Sequence, residues 1–247
     1  MRVEILFGAQ GAREAARRRA VTIVIDALRA SATATTALAL GAREIIPVPS
    51  VEEARYYLGR HGYRVAGERQ GVKIPEFHHG NSPTELHRRQ PELAGQILVL
   101  TTTNGTRIVN IAREGAATVL LGTTLNAEAV ACAAVEVSRG LADRLIVLLA
   151  AGEDEAHAEE DYVGARKIAH HLFRLGAEVD PTNLREEDAE AVFVETPSGR
   201  ELHALGYADD VVFCARCDLY PVVPWLDNGR FVVYELRQGR DLACEAA

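Results

Sequence analysis

Val21-Thr22-Ile23-Val24-Ile25-Asp26 decides the fold. The run is apolar without alternating, too short for a helix, and ends on a carboxylate. That is the pattern of a strand covered on both faces and opening into a loop. Similar runs recur at 44–48, 64–66, 97–100, 118–121 and 145–150. Between them lie patterns of helical period, at 31–40, 51–60, 83–90, 106–114, 127–139 and 159–175, several followed by a glycine in the C′ place (Gly41, Gly115, Gly140, Gly176). This alternation predicts a three-layer α/β/α fold around a largely parallel sheet.

Beyond Gly176 the character changes. Residues 181–187 read as a polar connection, 197–206 as a short helix, and 222–236 as a hairpin turning at Asp227-Asn228-Gly229. The expectation is a main α/β domain over 1–180 and a small C-terminal α+β portion over 181–247, packed on the main sheet or continuous with it.

At 247 residues the chain can bury a sizeable core without disulfides or metal staples. Its 27 basic and 35 acidic residues leave a net charge of −8, which argues against nucleic acid or an anionic membrane as partner. Any anionic ligand must then be held by local positive groups. Met1-Arg2-Val3-Glu4-Ile5-Leu6-Phe7 is not a basic leader followed by an apolar region, and no apolar run approaches the roughly 20 residues of a membrane span. A cytoplasmic protein is expected, with homo-oligomers allowed. Cys132, Cys214, Cys217 and Cys244 are too few for a disulfide framework. Cys214-Ala215-Arg216-Cys217 follows a strand-like Val211-Val212-Phe213 and has no second Cys or His pair at zinc spacing.

Two stretches of small hydrogen-bonding residues precede helices: Gly80-Asn81-Ser82-Pro83-Thr84-Glu85 and Thr101-Thr102-Thr103-Asn104-Gly105-Thr106. Helix starts present unpaired N–H groups and a favourable dipole to anions, so two of them suggest a ligand with two anionic groups. The first also reads as a cap, with Ser82 at the N-cap, Pro83 at the first helical position and Glu85 where a capping box needs it. In an open parallel sheet ligands bind beyond the carboxyl ends of the strands, which singles out the loops 26–31, 67–82, 101–105, 122–126 and 152–161.

Asp26 would emerge at a buried strand end, where an ionised group is costly unless paired, hydrogen-bonded or bound to metal. Arg29, three residues on, either closes the loop as its ion partner or serves as an anion clamp, since guanidinium matches phosphate oxygens bidentately. The loop Gly67-Glu68-Arg69-Gln70-Gly71-Val72-Lys73 sets one acid and two bases among glycines, so Arg69 and Lys73 are candidate local cations. The run 153–161 gathers Glu153, Asp154, Glu155, Glu159, Glu160 and Asp161. Such acids suit a solvated helix start, and equally Mg²⁺, which takes a few carboxylates plus waters and substrate oxygens. A Walker loop, a GxGxxG and a hydrolase serine elbow are all absent.

Taken in order, Val24-Ile25-Asp26-Ala27-Leu28-Arg29-Ala30-Ser31, Ala66-Gly67-Glu68-Arg69, Gly80-Asn81-Ser82-Pro83, Thr101-Thr102-Thr103-Asn104-Gly105-Thr106, Asn126-Ala127 and Glu160-Asp161 resemble the motifs of the 2-phosphosulfolactate phosphatase family. The likeness continues through Asp210-Val211, Cys214, Asp218 and Val223-Pro224. It implies a Mg²⁺-dependent phosphatase that hydrolyses the phosphate ester of 2-phospho-3-sulfolactate in coenzyme M synthesis, or acts on a similar small phosphorylated 2-hydroxy acid. Where the family usually has Gly-Phe-Asp this chain has Glu76-Phe77-His78, and Ala151 stands where a cysteine is expected. With the resemblance, Asp26, Glu68 and Asp161 become the catalytic candidates, and Asp26, Glu68, Glu160 and Asp161 the metal ligands. Arg29, Arg69, Lys73, Asn81, Ser82, Thr103 and Asn104 become the substrate-binding set. Whether Asp26 attacks phosphorus or only binds metal is open at this level, and so is a rival reading as a non-catalytic sensor of phosphorylated metabolites.

Overall fold

The computed structural model describes residues 1–152 and 157–236. In chain order the sheet is built from β1 (Arg2–Phe7), β2 (Val21–Ile25), β3 (Glu44–Pro47), β4 (Tyr63–Arg69), β5 (Val72–Lys73), β6 (Ile97–Thr101), β7 (Thr118–Gly122), β8 (Leu145–Ala150), β9 (Pro224–Asp227) and β10 (Arg230–Val233). Its strand order is β1-β8-β2-β7-β9-β10-β3-β6-β4-β5, parallel except at β5 and at the β9–β10 hairpin. The helices are α1 (Gly8–Arg17), α2 (Ala30–Ala39), α3 (Val51–Arg55), α4 (Pro83–Arg88), α5 (Gly105–Ala112), α6 (Ala127–Ser138), α7 (Glu159–Arg174), α8 (Ala189–Glu195), α9 (Pro197–Ala204) and α10 (Ala208–Cys214). None is long and apolar enough to cross a membrane.

Alternate residues of β2 serve opposite cores, as a strand covered on both faces requires. Val24 packs with Ala12, Ala34 and Ile108 from α1, α2 and α5, while Ile23 and Ile25 pack with Val130 and Ile168 from α6 and α7. Helix α2 is made of Ala, Thr, Ser and Leu and is buried from Ala30 to Leu38. Small side chains on all sides let it lie deep against the sheet, with its start beside the end of β2.

The hairpin lies in the middle of the sheet. Asn228 and Gly229, at φ 48° and 80°, form the two-residue turn that the sequence predicts. Strand β9 meets β7 at Leu120–Trp225 and β10 meets β3 at Phe231–Ile45, joining two otherwise separate parallel blocks. Indole Nε1 of Trp225 donates 2.9 Å to Thr118, and Arg230 donates 2.8 Å to Glu44.

Several segments differ from expectation. Val211, Val212 and Phe213 lie in α10, with Val211 and Phe213 buried beside Cys214, so a β-branched run here serves one face of a helix. The segment 67–73 is a tight hairpin: β4 runs to Arg69, and Gln70 and Gly71, at φ 51° and 72°, turn the chain into β5. The helix expected over 51–60 ends at Arg55 and continues only as turns. Strand β1 and helix α1 have no counterpart in the pattern read above, because β1 carries Arg2 and Glu4 at the sheet edge.

Candidate active site

Asp26 follows β2 directly and is bracketed by two helix starts. Its Oδ1 accepts the amide of Ala30 at 3.0 Å, at the beginning of α2. On its other side lies Gly105, the first residue of α5, where a Cβ would stand 2.5 Å from Oδ2 of Asp26. Only glycine allows that approach. Gly105→Ala should therefore displace Asp26 and lower turnover by about tenfold or more with the protein still folded, since small misplacements at reacting groups are costly; initial-rate assays beside a melting curve check this.

Glu68, at the end of β4, is used up by the chain itself. Its Oε1 accepts from the amide (2.7 Å) and hydroxyl (3.0 Å) of Thr103, and its Oε2 from the amide of Gly71 (2.9 Å). Asp161, in the first turn of α7, accepts the amides of Ala27 (2.7 Å) and Gly152 (2.9 Å), tying the loops after β2 and β8 together. Glu160 differs: it is buried, and its Oε2 has no hydrogen-bond partner. Oδ2 of Asp26 has none among the described residues either.

These side chains meet at the carboxyl ends of β2, β4, β6 and β8, around a cavity of about 200 Å³. Of the sequence candidates, Asp26, Arg29, Glu68, Asn81, Thr103, Asn104, Glu160 and Asp161 line it. Burial pushes the Asp26 carboxyl up to about 6, opposed by the Ala30 amide and reinforced by the charges of Glu68 and Glu160. Asp161 is raised well above the ordinary carboxylate range, first by burial and then by Asp26 and Glu160.

Arg69, Lys73 and Ser82 are outside the lining. Arg69 donates to Glu68 O and to Thr101 Oγ1, and Lys73 to His78 O. Ser82 caps α4 through the Glu85 amide at 3.1 Å, as expected, but Glu85 reaches back to the amide of Gly80. The anion at this helix start belongs to the protein: Oδ1 of Asp210 accepts the amide of Thr84 at 3.1 Å. Of the two expected anion ends, the one at α5 is left, where the amides of Asn104 and Gly105 have no partner among the described residues. Asn104 itself donates to the carbonyl of Ala151 at 3.2 Å, and His78 accepts the amide of Val65 at 3.0 Å, away from the cavity. Glu153, Asp154 and Glu155 lie outside the described residues.

Ser198, Glu201 and Leu202 of α9, with Gln70 and Thr102, also line the cavity, and Asp210 and Tyr207 support Arg29 from behind. Gln70 and Thr102 lie in stretches the sequence singles out and Asp210 in the family likeness, whereas Tyr207 and the α9 residues carry no such signal. Apart from that likeness, Asp210 reads as an acid next to a strand-like run, with nothing to mark it as the partner of Arg29. Cys214 and Cys217 are free thiols, and burial raises Cys214 well above the usual range.

Among the described residues no group of three or more His, Cys, Asp or Glu side chains stands close enough to hold an ion. Mg²⁺ does not need such a cage, being usually bound by one or two carboxylates, waters and substrate phosphate. The unpartnered oxygens of Glu160 and Asp26 supply hard donors of that kind, so the residues fit the ion.

Fold and site define a three-layer α/β protein with a carboxylate-rich ligand cleft at the ends of its parallel strands. A model of the 2-phosphosulpholactate phosphatase family matches residues 9–229. A probable 2-phosphosulfolactate phosphatase of Carboxydothermus hydrogenoformans is 34% identical, over 96% of this chain and 99% of the relative. The 2-phosphosulfolactate phosphatase of Methanothermobacter thermautotrophicus is 38% identical over 86% and 89%, and a probable one of Thermotoga maritima 35% over 86% and 92%. The chain belongs to the 2-phosphosulpholactate phosphatase family, a family of phosphoric monoester hydrolases.

Proposed function

We propose that the chain is a Mg²⁺-dependent phosphatase that hydrolyses the phosphate ester of 2-phosphosulfolactate, or of a similar small phosphorylated 2-hydroxy acid, to the hydroxy acid and inorganic phosphate. The observation that carries this reading is the buried Oε2 of Glu160, which has no partner, in a cavity shared with Asp26, Arg29 and the open start of α5. A place in coenzyme M synthesis and in the cytoplasm belongs to the same proposal.

Asp26 and Glu160 would hold the ion, which when bound neutralises charge on the phosphoryl oxygens. Glu68 and Asp161, saturated by backbone amides, keep the loops after β2, β4, β6 and β8 in register. The amides of Asn104 and Gly105 donate to the phosphoryl group at the positive end of α5. Arg29 addresses the rest of the substrate. Phosphoryl transfer through a loose transition state asks for positioning and charge stabilisation more than covalent help, which this arrangement offers. Inorganic phosphate release from phosphosulfolactate, followed with the purified protein and Mg²⁺, is the test. Tight binding without release would favour the sensor reading instead.

A further inference from the structure

Among the described residues Arg29 is the only arginine or lysine lining the cavity, together with Asp26, Glu68, Glu160, Asp161 and Glu201. A buried guanidinium among carboxylates gains most by pairing with one of them bidentately. Arg29 pairs elsewhere. Its Nη1 donates 2.7 Å to Oδ2 of Asp210, its Nη2 donates 2.7 Å to the carbonyl of Gly71, and its guanidinium lies 4.4 Å over the ring of Tyr207. Asp210 is fully buried and does not line the cavity. Its two oxygens divide the work. Oδ1 accepts from Ser82 Oγ at 2.9 Å and from the amide and hydroxyl of Thr84 at 3.1 and 2.6 Å, while Oδ2 faces Arg29.

We propose that Asp210 is a positioning residue that holds the guanidinium of Arg29 as the cavity's anion-binding arm and keeps it off the carboxylates of Asp26, Glu68 and Glu160. One N–H on each terminal nitrogen is committed, and the other donors of the fork remain for a ligand. Because Asp210 compensates the arginine locally, the cavity acids stay available to a cation. The anchor is rigid: α10 is pinned to the start of α4 through the same carboxylate. This proposal rests on reading the cavity as the site of a phosphorylated anion.

Asp210→Asn separates the two arms, since its remaining oxygen can go on accepting from Ser82 and Thr84 while an amide nitrogen faces Arg29, donor against donor. KM for phosphosulfolactate should rise about tenfold or more with kcat changing less. Arg29→Gln should do the same, and the double variant should be no worse than Arg29→Gln alone. Effects that multiply, or an unchanged KM in folded Asp210→Asn, overturn the proposal. Independently of folding of that variant, the guanidinium protons of Arg29, assigned by their loss in Arg29→Gln, should exchange slowly in the ligand-free wild-type protein; fast, averaged signals overturn it. Calorimetric titration with inorganic sulfate runs in parallel. Absent turnover with the same non-additive loss of sulfate affinity sinks only the phosphatase reading, whereas unaltered sulfate affinity in Asp210→Asn sinks this one.

Discussion

Asp26→Asn is expected to lower turnover by at least about 10²-fold and to leave the protein folded. Asparagine keeps the size of the side chain and can still accept the Ala30 amide at Oδ1, so α2 keeps its start. What it loses is the charge beside Gly105 and Glu160. The same substitution should stabilise the metal-free protein near neutral pH. The folded carboxyl stands at about 6 against an ordinary 3.8, so the folded state binds the proton more tightly than the unfolded chain does. That contribution is complete below pH ~4 and is lost as the pH rises through ~6, leaving an ionised Asp26 that costs on the order of 1–3 kcal/mol at pH 7. Asparagine has no such cost, so its melting temperature should exceed that of the wild type at pH 7 and converge with it at pH 4. Unchanged kcat would remove Asp26 from the chemistry. Lost turnover with undiminished Mg²⁺ binding would make it the nucleophile instead of a ligand.

Removing divalent metal is the second large effect. Excess chelator should lower phosphate release to below about 1% of the Mg²⁺ rate, because the cavity's acids repel an anionic substrate until a cation sits among them. A readout without turnover comes from thermal melting. Mg²⁺ should raise the melting temperature of the metal-free protein, more at pH 7 than at pH 5, since it competes with protons for Asp26. Equal rates in chelator and in Mg²⁺ would overturn the metal assignment, and so would a melting temperature indifferent to the ion.

How much of this was legible without coordinates depends on the range of the interaction concerned. Strand β2, helix α6 and the turn at Asn228-Gly229 follow from runs of residues whose own preferences agree with their place, and the structure puts them where the sequence reads them. The rule that ligands sit beyond strand ends then brought Asp26, Glu68, Thr103, Asn104, Glu160 and Asp161 to one cavity. Periodicity and loop position are local properties, written in adjacent residues. Arg69 and Lys73 look equally well placed in the sequence, yet two positive-φ residues turn their loop into a hairpin and direct their side chains to neighbouring carbonyls and a hydroxyl. The choice of Asp210 as partner for Arg29, 181 residues away, leaves no trace in spacing or composition. Nor does the place of the β9–β10 hairpin between the two parallel blocks, which rests on one bridge at each side and on which apolar faces are left to cover. The sequence determined the strands, the helices and the loops that bear the acids; only tertiary packing decided which charges stay open to a ligand and which the chain satisfies itself, because that depends on neighbours brought together by the fold.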